Sequence, residues 1–378
     1  MGDHRLGRRA DPGRAEDPRV GWPHEGPLTG SGFLSQRIVH VHPTLRCNLT
    51  CAHCYSSSSP SAQGELGVEA LLEALAVLRD EGFDVVSLSG GEPFLYRELS
   101  PLLDGVAALG YSVNVVTNAT VLTARRLSEL AHHLAFVAVS LDGARDRHDR
   151  IRGREGAFDD ALRGLQRIRE AEVPFGLTCC VTADNLVDVP ELYGIAVDTG
   201  ARLLNLRPLA LVGRGNALGE VAALNPADLA RLVLVADLLD DPGSKVGVRV
   251  DLAPAGALRE QAGAAHALLH GETDTLELSD LVNPLIVDDR GRLLPFAYGV
   301  HPRFAVTTSL EQVADHVAAW KADGVPRLRN LLERAVDALP KAAETPVDWF
   351  DHLARASHAA RSGRLRPPVE PAASVGQD

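Results

Sequence analysis

RIVHVHPTLRCNLTCAHCY, residues 37–55, decides how this chain reads. Its first eight residues are a short β-branched run closed by Pro43-Thr44, the pattern of a strand and its turn. Directly after it come Cys47, Cys51 and Cys54, in a C-x3-C-x2-C spacing. The same kind of run recurs as DVVSLSGG (84–91), SVNVVTNA (112–119), AFVAVSLDG (135–143), FGLTCCVT (175–182) and RLLNLRPL (202–209). Each ends in turn residues and is followed by apolar residues at helical spacing. After the first, Val68, Leu71, Leu72, Leu75 and Leu78 fall at i, i+3, i+4, i+7 and i+10, with Gly82 as a stop. Helices are expected near 98–109, 123–133, 157–171, 188–199 and 225–239. Strand–helix units in succession predict an α/β fold with a parallel sheet, because parallel neighbours need crossover connections. Six units are too few for a closed eight-strand barrel and fit a partial (β/α)6 barrel. In such folds chemistry collects at the C-terminal ends of the strands, where the three cysteines lie.

Beyond about residue 216 the alternation stops. KVGVRVDLAP (245–254) precedes a Gly/Ala-rich stretch, and LIVDDRGRLLPFAYG (285–299) reads as two short strands around an Asp-Asp-Arg-Gly turn. Helical periodicity returns over 309–361. The expected organisation is a flexible leader (1–35), a partial-barrel core (36–216), a small C-terminal α+β bridging and cap region (217–362) and a disordered tail (363–378).

The chain has 378 residues, 45% of them hydrophobic, which suits a folded protein and is too high for a mainly disordered one. Thirty-eight basic residues against fifty acidic ones, a formal charge of −12, argue against a nucleic-acid partner held by a broad cationic surface. No apolar run reaches the ~18 residues of a membrane helix, and the N-terminal stretch lacks the apolar core of a secretory signal. A cytoplasmic location is expected, where the five cysteines are metal ligands, redox groups or core fillers rather than a disulfide framework.

Three thiolates on one short loop can hold three corners of an iron–sulfur cube and leave the fourth iron open. An open position marks a catalytic site, whereas structural sites are closed. The competing reading is a zinc knuckle with His53 as fourth ligand, which its position one residue before Cys54 makes awkward.

On this loop and the motifs that follow it, residues 37–215 resemble the radical S-adenosylmethionine (SAM) superfamily. The matching features are the cysteine loop with His53 before the last cysteine, and Gly90-Gly91-Glu92-Pro93 at the end of the second strand. The resemblance implies that Cys47, Cys51 and Cys54 bind one [4Fe-4S] cluster whose open iron chelates SAM. Reductive cleavage then gives a 5′-deoxyadenosyl radical that abstracts a substrate hydrogen. It further implies that the Gly90-Gly91-Glu92-Pro93 backbone binds the SAM ammonium group, and that Thr117 and Asn118 lie at the cofactor. Ser140-Leu141-Asp142-Gly143 followed by His148-Asp149-Arg150-Ile151-Arg152 resembles the peptide- and cofactor-maturing branch. There Ser140 and Arg152 are candidates for the methionyl carboxylate, and Asp142 for ordering the turn or reaching the ribose. Thr182 and Asn185 fall near the adenine and ribose contacts, with a helix N-cap as the alternative. Arg207 and Arg214 are placed on the substrate side, Arg214 alternatively as a solvated loop charge.

No cysteine follows Cys180, and Phe296 stands where an auxiliary-cluster cysteine of that branch is expected. A shortened, cluster-free extension follows. Cys179 and Cys180 must point to opposite faces of their strand, so at most one reaches the site. The expected function is modification of a peptide or peptide-derived natural product, with a low-potential flavodoxin or ferredoxin as electron donor. The alternatives are tetrapyrrole side-chain chemistry and a non-catalytic iron–sulfur scaffold.

Overall fold

The computed structural model describes residues 36–241, 243–261 and 276–359. The expected leader and tail lie outside the described residues. Six strands form where the β-branched runs stand: β1 (Ile38–Val41), β2 (Val85–Leu88), β3 (Ser112–Thr117), β4 (Phe136–Ser140), β5 (Phe175–Val181) and β6 (Leu203–Pro208). They pair in parallel in sequence order, β1 against β2 with Ile38 opposite Val85, through to β5 against β6. β2 is buried throughout, as expected for a parallel sheet covered on both faces.

The sheet is larger than the sequence predicts. β7 (Gly247–Val250) adds in parallel beside β6, while β9 (Leu285–Val287) adds in parallel on the far side of β1. The Asp-Asp-Arg-Gly hairpin forms as read, and its second strand β10 (Leu293–Pro295) is antiparallel to β9. The result is one nine-stranded sheet, β10-β9-β1-β2-β3-β4-β5-β6-β7, whose edge strands come from the expected bridging and cap region. Local pattern identifies a strand; it does not name the strand's neighbour, because pairing is a long-range choice.

α1 (Val68–Asp80) buries Val68, Leu71, Leu75 and Leu78, the predicted stripe, with Leu72 only half-buried at its edge. Each fully buried leucine contributes about 1.5–3 kcal/mol. The expected helices follow as α2 (Leu99–Ala108), α3 (Ala124–Leu130), α5 (Ala157–Glu170), α6 (Val189–Thr199) and α8 (Pro226–Leu239). Two short helices intervene. One is α4 (Arg145–Arg152), whose charged sequence RDRHDRIR has no apolar period to announce it; the other is α7 (Gly215–Leu218). α4 ends at Gly153 (φ +69°), where an added Cβ would meet Thr50 Oγ1 at 2.9 Å and Thr50 O at 3.2 Å. That close approach seats the end of α4 on the cysteine loop, and Ala52 N donates to Ile151 O at 2.8 Å.

In the C-terminal region a short ladder pairs β8 (Ala253–Pro254) with β11 (Pro346–Val347), Val347 opposite Ala253. A helix, α9 (255–261), follows β8 directly, and α10 (Leu278–Leu281) precedes β9. The periodicity over 309–361 resolves into α11 (Val313–Asp323), α12 (Val325–Asp337) and α13 (Trp349–Ala359). α12 and α13 share a small core of Leu331, Ala335, Leu353, Ala354 and Ala356 with Val300 and Phe304. Among the described residues no helix is long and apolar enough to cross a membrane.

Candidate active site

A cavity of about 300 Å³ opens at the C-terminal ends of the strands. Cys47, Cys51 and Cys54 line one side, all free thiols, the first two buried and the third half-buried. Each sulfur takes a polar hydrogen. Asn118 Nδ2 donates to Cys47 Sγ (3.7 Å), Arg152 Nη1 to Cys51 Sγ (3.7 Å) and Ser58 N to Cys54 Sγ (3.3 Å). Burial pushes the Cys47 thiol up to about 12 and raises Cys51 as well.

The double glycine is explained by the cysteine loop itself. Gly91 N donates to Thr44 O and Glu92 N to Arg46 O, both at 2.9 Å, docking the second strand's turn onto the loop that carries Cys47. A Cβ on Gly91 would lie 2.3 Å from Arg46 O, and Gly90 has φ +96°. Ser56 and Ser58 hydroxyls both donate to Gly90 O, at 3.0 and 3.1 Å. Glu92 is buried, and its carboxylate accepts from Thr117 Oγ1 (2.7 Å), Asn118 N (2.9 Å) and Phe94 N (3.2 Å). It ties the ends of β2 and β3 together. Burial pushes it up to about 7, against the pull of those three donors.

Asp142 is the hub of the opposite wall. Its Oδ2 lies 2.6 Å from both Arg152 Nη2 and His53 Nε2, and its Oδ1 accepts from Cys180 N at 2.9 Å. Its backbone N–H donates to His148 Nδ1 at 3.0 Å, an arrangement that needs an unprotonated Nδ1. Burial accordingly lowers His148 to about 4. Burial alone would raise Asp142, but Arg152 and His53 outweigh it and hold the carboxyl well below the usual range. Arg152 thus enters the site already paired, with Nε buried and without a partner.

The remaining wall comes from β1, β6 and the C-terminal region. His40 on β1 and His42 just past its end are two residues apart and both face the cavity. His42, Tyr55 and Tyr298 pack as three rings with centroids 5.1–5.6 Å apart. Arg207, whose side chain is 53% exposed within this interior, binds Asp251 through Nε at 2.8 Å. Asp348 and Asp351 line the far end beside Phe296 and Phe350.

Cys47, Cys51, Cys54, His53, Gly90, Gly91, Glu92, Thr117, Asn118, Ser140, Asp142 and Arg152 all line this one cavity. Pro93 and Thr182 do not. Pro93 is buried at the start of a 3-10 turn, and the Thr182 backbone N–H donates to Asn185 Oδ1 (2.7 Å) in a local turn. Asn185 Nδ2 in turn donates to Cys180 O, and neither side chain caps a helix: Asn185 precedes the 3-10 turn at Leu186–Asp188 without a side-chain cap bond. Arg214 is no solvated loop charge: its Nε donates to Cys51 O at 2.8 Å. Cys180 lines the cavity while Cys179 is fully buried in the apolar core, as strand alternation requires. Sequence reasoning missed Tyr55, His42, Tyr298 and Asp348. The two-residue spacing of His40 and His42 was a usable signal; Asp348, about 300 residues from the loop, gave none.

Fold and site together define an α/β partial barrel with three free thiols on one loop at its mouth. Residues 41–194 match the model of the Radical SAM superfamily, and the chain carries a radical SAM domain. Fe-coproporphyrin III synthase of Methanosarcina barkeri is 34% identical over 188 residues, covering 48% of this chain and 46% of that protein. Sporulation killing factor maturation protein SkfB of Bacillus subtilis is 30% identical over 193 residues, 50% of this chain and 47% of that one. The chain spans about half the length of the curated relatives it matches. In fold it resembles anSMEcpe with bound AdoMet and Cp18Cys peptide, at TM-score 0.56 and 16% identity, covering 86% of this chain and 96% of that one. Streptococcus suis SuiB bound to S-adenosylmethionine gives 0.54 and 16%, covering 69% and 60%.

The superfamily uses a [4Fe-4S] cluster and SAM, and the residues present fit such a group. Among the described residues no three His, Cys, Asp or Glu side chains converge closely enough for a single metal ion. A cluster asks for wider spacing, because each thiolate takes its own iron. His53 gives Nε2 to Asp142, which also disfavours the zinc knuckle.

Proposed function

We propose that this protein is a radical SAM enzyme that modifies a peptide or peptide-derived substrate. One observation carries the reading: a single cavity is lined both by three free thiols and by a wall of aromatic and ionisable side chains. Cys47, Cys51 and Cys54 would hold the cluster. The Gly90-Gly91 backbone, Asn118, Ser140 and Arg152 would hold SAM. When bound, cluster and SAM supply one-electron cleavage of the sulfonium and with it the power to remove hydrogen from an unactivated C–H bond. The chain's own part is placement. Arg152 and Asn118 direct N–H groups at two of the sulfurs, and Asp142 fixes the Arg152 guanidinium. A low-potential flavodoxin or ferredoxin would deliver the electron.

The relatives are named for both peptide maturation and haem chemistry. The substrate wall favours the peptide. A tetrapyrrole bearing several carboxylates needs several free cations, whereas here Arg152 and Arg207 are paired with Asp142 and Asp251. Arg214 alone of the three cavity arginines has no carboxylate partner among the described residues, and Asp348 and Asp351 also face the cavity. Anaerobic reconstitution tests the reading: about four irons per chain are expected, with 5′-deoxyadenosine formed on adding SAM and dithionite. Full iron loading without SAM cleavage, in the presence of candidate peptides and of coproporphyrin, would refute an enzymatic role. Eight irons would reveal a second cluster.

A further inference from the structure

Asp348 lines the cavity without a direct ion pair among the described residues. The β8–β11 ladder sets Val347 opposite Ala253, so Asp348 emerges beside the end of β7, where Asp251 stands. Asp348 Oδ1 accepts from Asp351 N (3.0 Å) and caps α13. No hydrogen bond or ion pair engages its other oxygen among the described residues. Arg207 acts on it through space but is bound to Asp251, so that two carboxylates share one guanidinium, and Arg355 is bound to Asp351 at 2.6 Å.

Two further observations point the same way. The same cavity has an aromatic lining, with Tyr55 and Tyr298 packed edge to face at 5.3 Å and Phe296 and Phe350 also facing it. Aromatic faces attract a desolvated cation and repel an anion. His42, 2% exposed and lining the same cavity, leaves Nδ1 without a hydrogen-bond partner. Burial lowers His42 to about 4, so it adds no positive charge to the wall at neutral pH.

We propose that Asp348, with the aromatic wall of Tyr55, Tyr298 and Phe350, is a subsite for a cationic group of the substrate, the ammonium of a lysine-like side chain. This rests on the peptide reading above and makes it more specific. Burial, with Asp351 nearby, pushes the Asp348 carboxyl up to about 7, and an entering cation favours its ionised form.

The test uses the full chain with its cluster reconstituted, in equilibrium dialysis at pH 8 against N-acetyl-lysine amide and uncharged N-acetyl-norleucine amide. The lysine probe should bind about tenfold more tightly, as expected for one desolvated charge pair over an aromatic face. Asp348→Asn should abolish the difference and Asp348→Glu should retain it. Asparagine still offers the oxygen that caps α13, so the variant keeps the helix start. Equal binding of the two probes by the wild type, or a lysine preference surviving in Asp348→Asn, would overturn the subsite. So would tight binding of coproporphyrin, a tetracarboxylate, that is indifferent to Asp348→Asn. The underlying reading fails separately: a wild type that keeps the lysine preference but never cleaves SAM loses the enzymatic function and not the subsite.

Discussion

Arg152 Nη2 and Asp142 Oδ2 meet at 2.6 Å in the interior, the aspartate fully buried and the arginine 7% exposed. The same guanidinium reaches Cys51 Sγ, so the pair couples the end of β4 to the cysteine loop through the end of α4. Removing one partner strands the other charge. Asp142→Ala should therefore destabilise the chain by about 3–5 kcal/mol. Urea unfolding of the full chain measures this, and a loss under 1 kcal/mol would show that the pair is not what holds α4 on the loop. The folded-state pKa of Asp142 is depressed, so its stabilisation is present above the unfolded value of about 3.9 and lost as pH falls below it. The wild type should show an acid-side loss of stability that Asp142→Asn lacks.

Gly91→Ala keeps all three cysteines yet places a Cβ 2.3 Å from Arg46 O, a backbone atom that cannot swing aside. The turn must lift off the loop, at a cost of roughly 1–3 kcal/mol. Iron bound per chain after reconstitution should drop well below that of the wild type. Unchanged iron content would mean that the docking does not set the position of Cys47.

Cys179 and Cys180 should respond oppositely to the same change. Cys179→Ser puts a hydroxyl at a fully buried position whose polar neighbour, Asn185 Nδ2 at 3.8 Å, is already bound to Cys180 O, and should lose about 1–3 kcal/mol. Cys180→Ser faces the polar cavity and should stay within about 0.5 kcal/mol. Paired denaturation curves decide this, and equal losses would contradict the observed facing of β5.

Asp348 should give the site a pH dependence near neutrality. The groups acting on it are Asp351 from its own helix, Arg207 from β6 and Asp251 from the end of β7. Its pKa is about 7, so the carboxylate is ionised above that pH, and lysine-probe binding should strengthen from pH 6 to pH 8. A raised carboxyl pKa means that the folded chain holds the extra proton between about pH 4 and 7. Its contribution to stability thus falls as pH rises through that window, and Asp348→Asn should remove that slope. Identical pH profiles of variant and wild type, for both binding and unfolding, would exclude the assignment.

The cysteine loop, the six core strands and their helices were legible because each is a local pattern. Period-two and helical spacing report which face is buried, and Cys47, Cys51 and Cys54 sit within eight residues of one another. The short helix α4 was not legible, since RDRHDRIR has no apolar stripe and folds as a helix through contacts with α5 and the cysteine loop. Sequence by itself determined the fold class, the thiol triad and the absence of cysteines after Cys180. Tertiary structure alone decided that β7 and β9 extend the sheet, that Gly91 is a glycine because Arg46 O lies against it, and that Asp348 faces a site about 300 residues upstream. The physical reason is the same in each case: pairing, packing and the environment of a buried charge depend on which distant segments meet, and local periodicity carries no record of that.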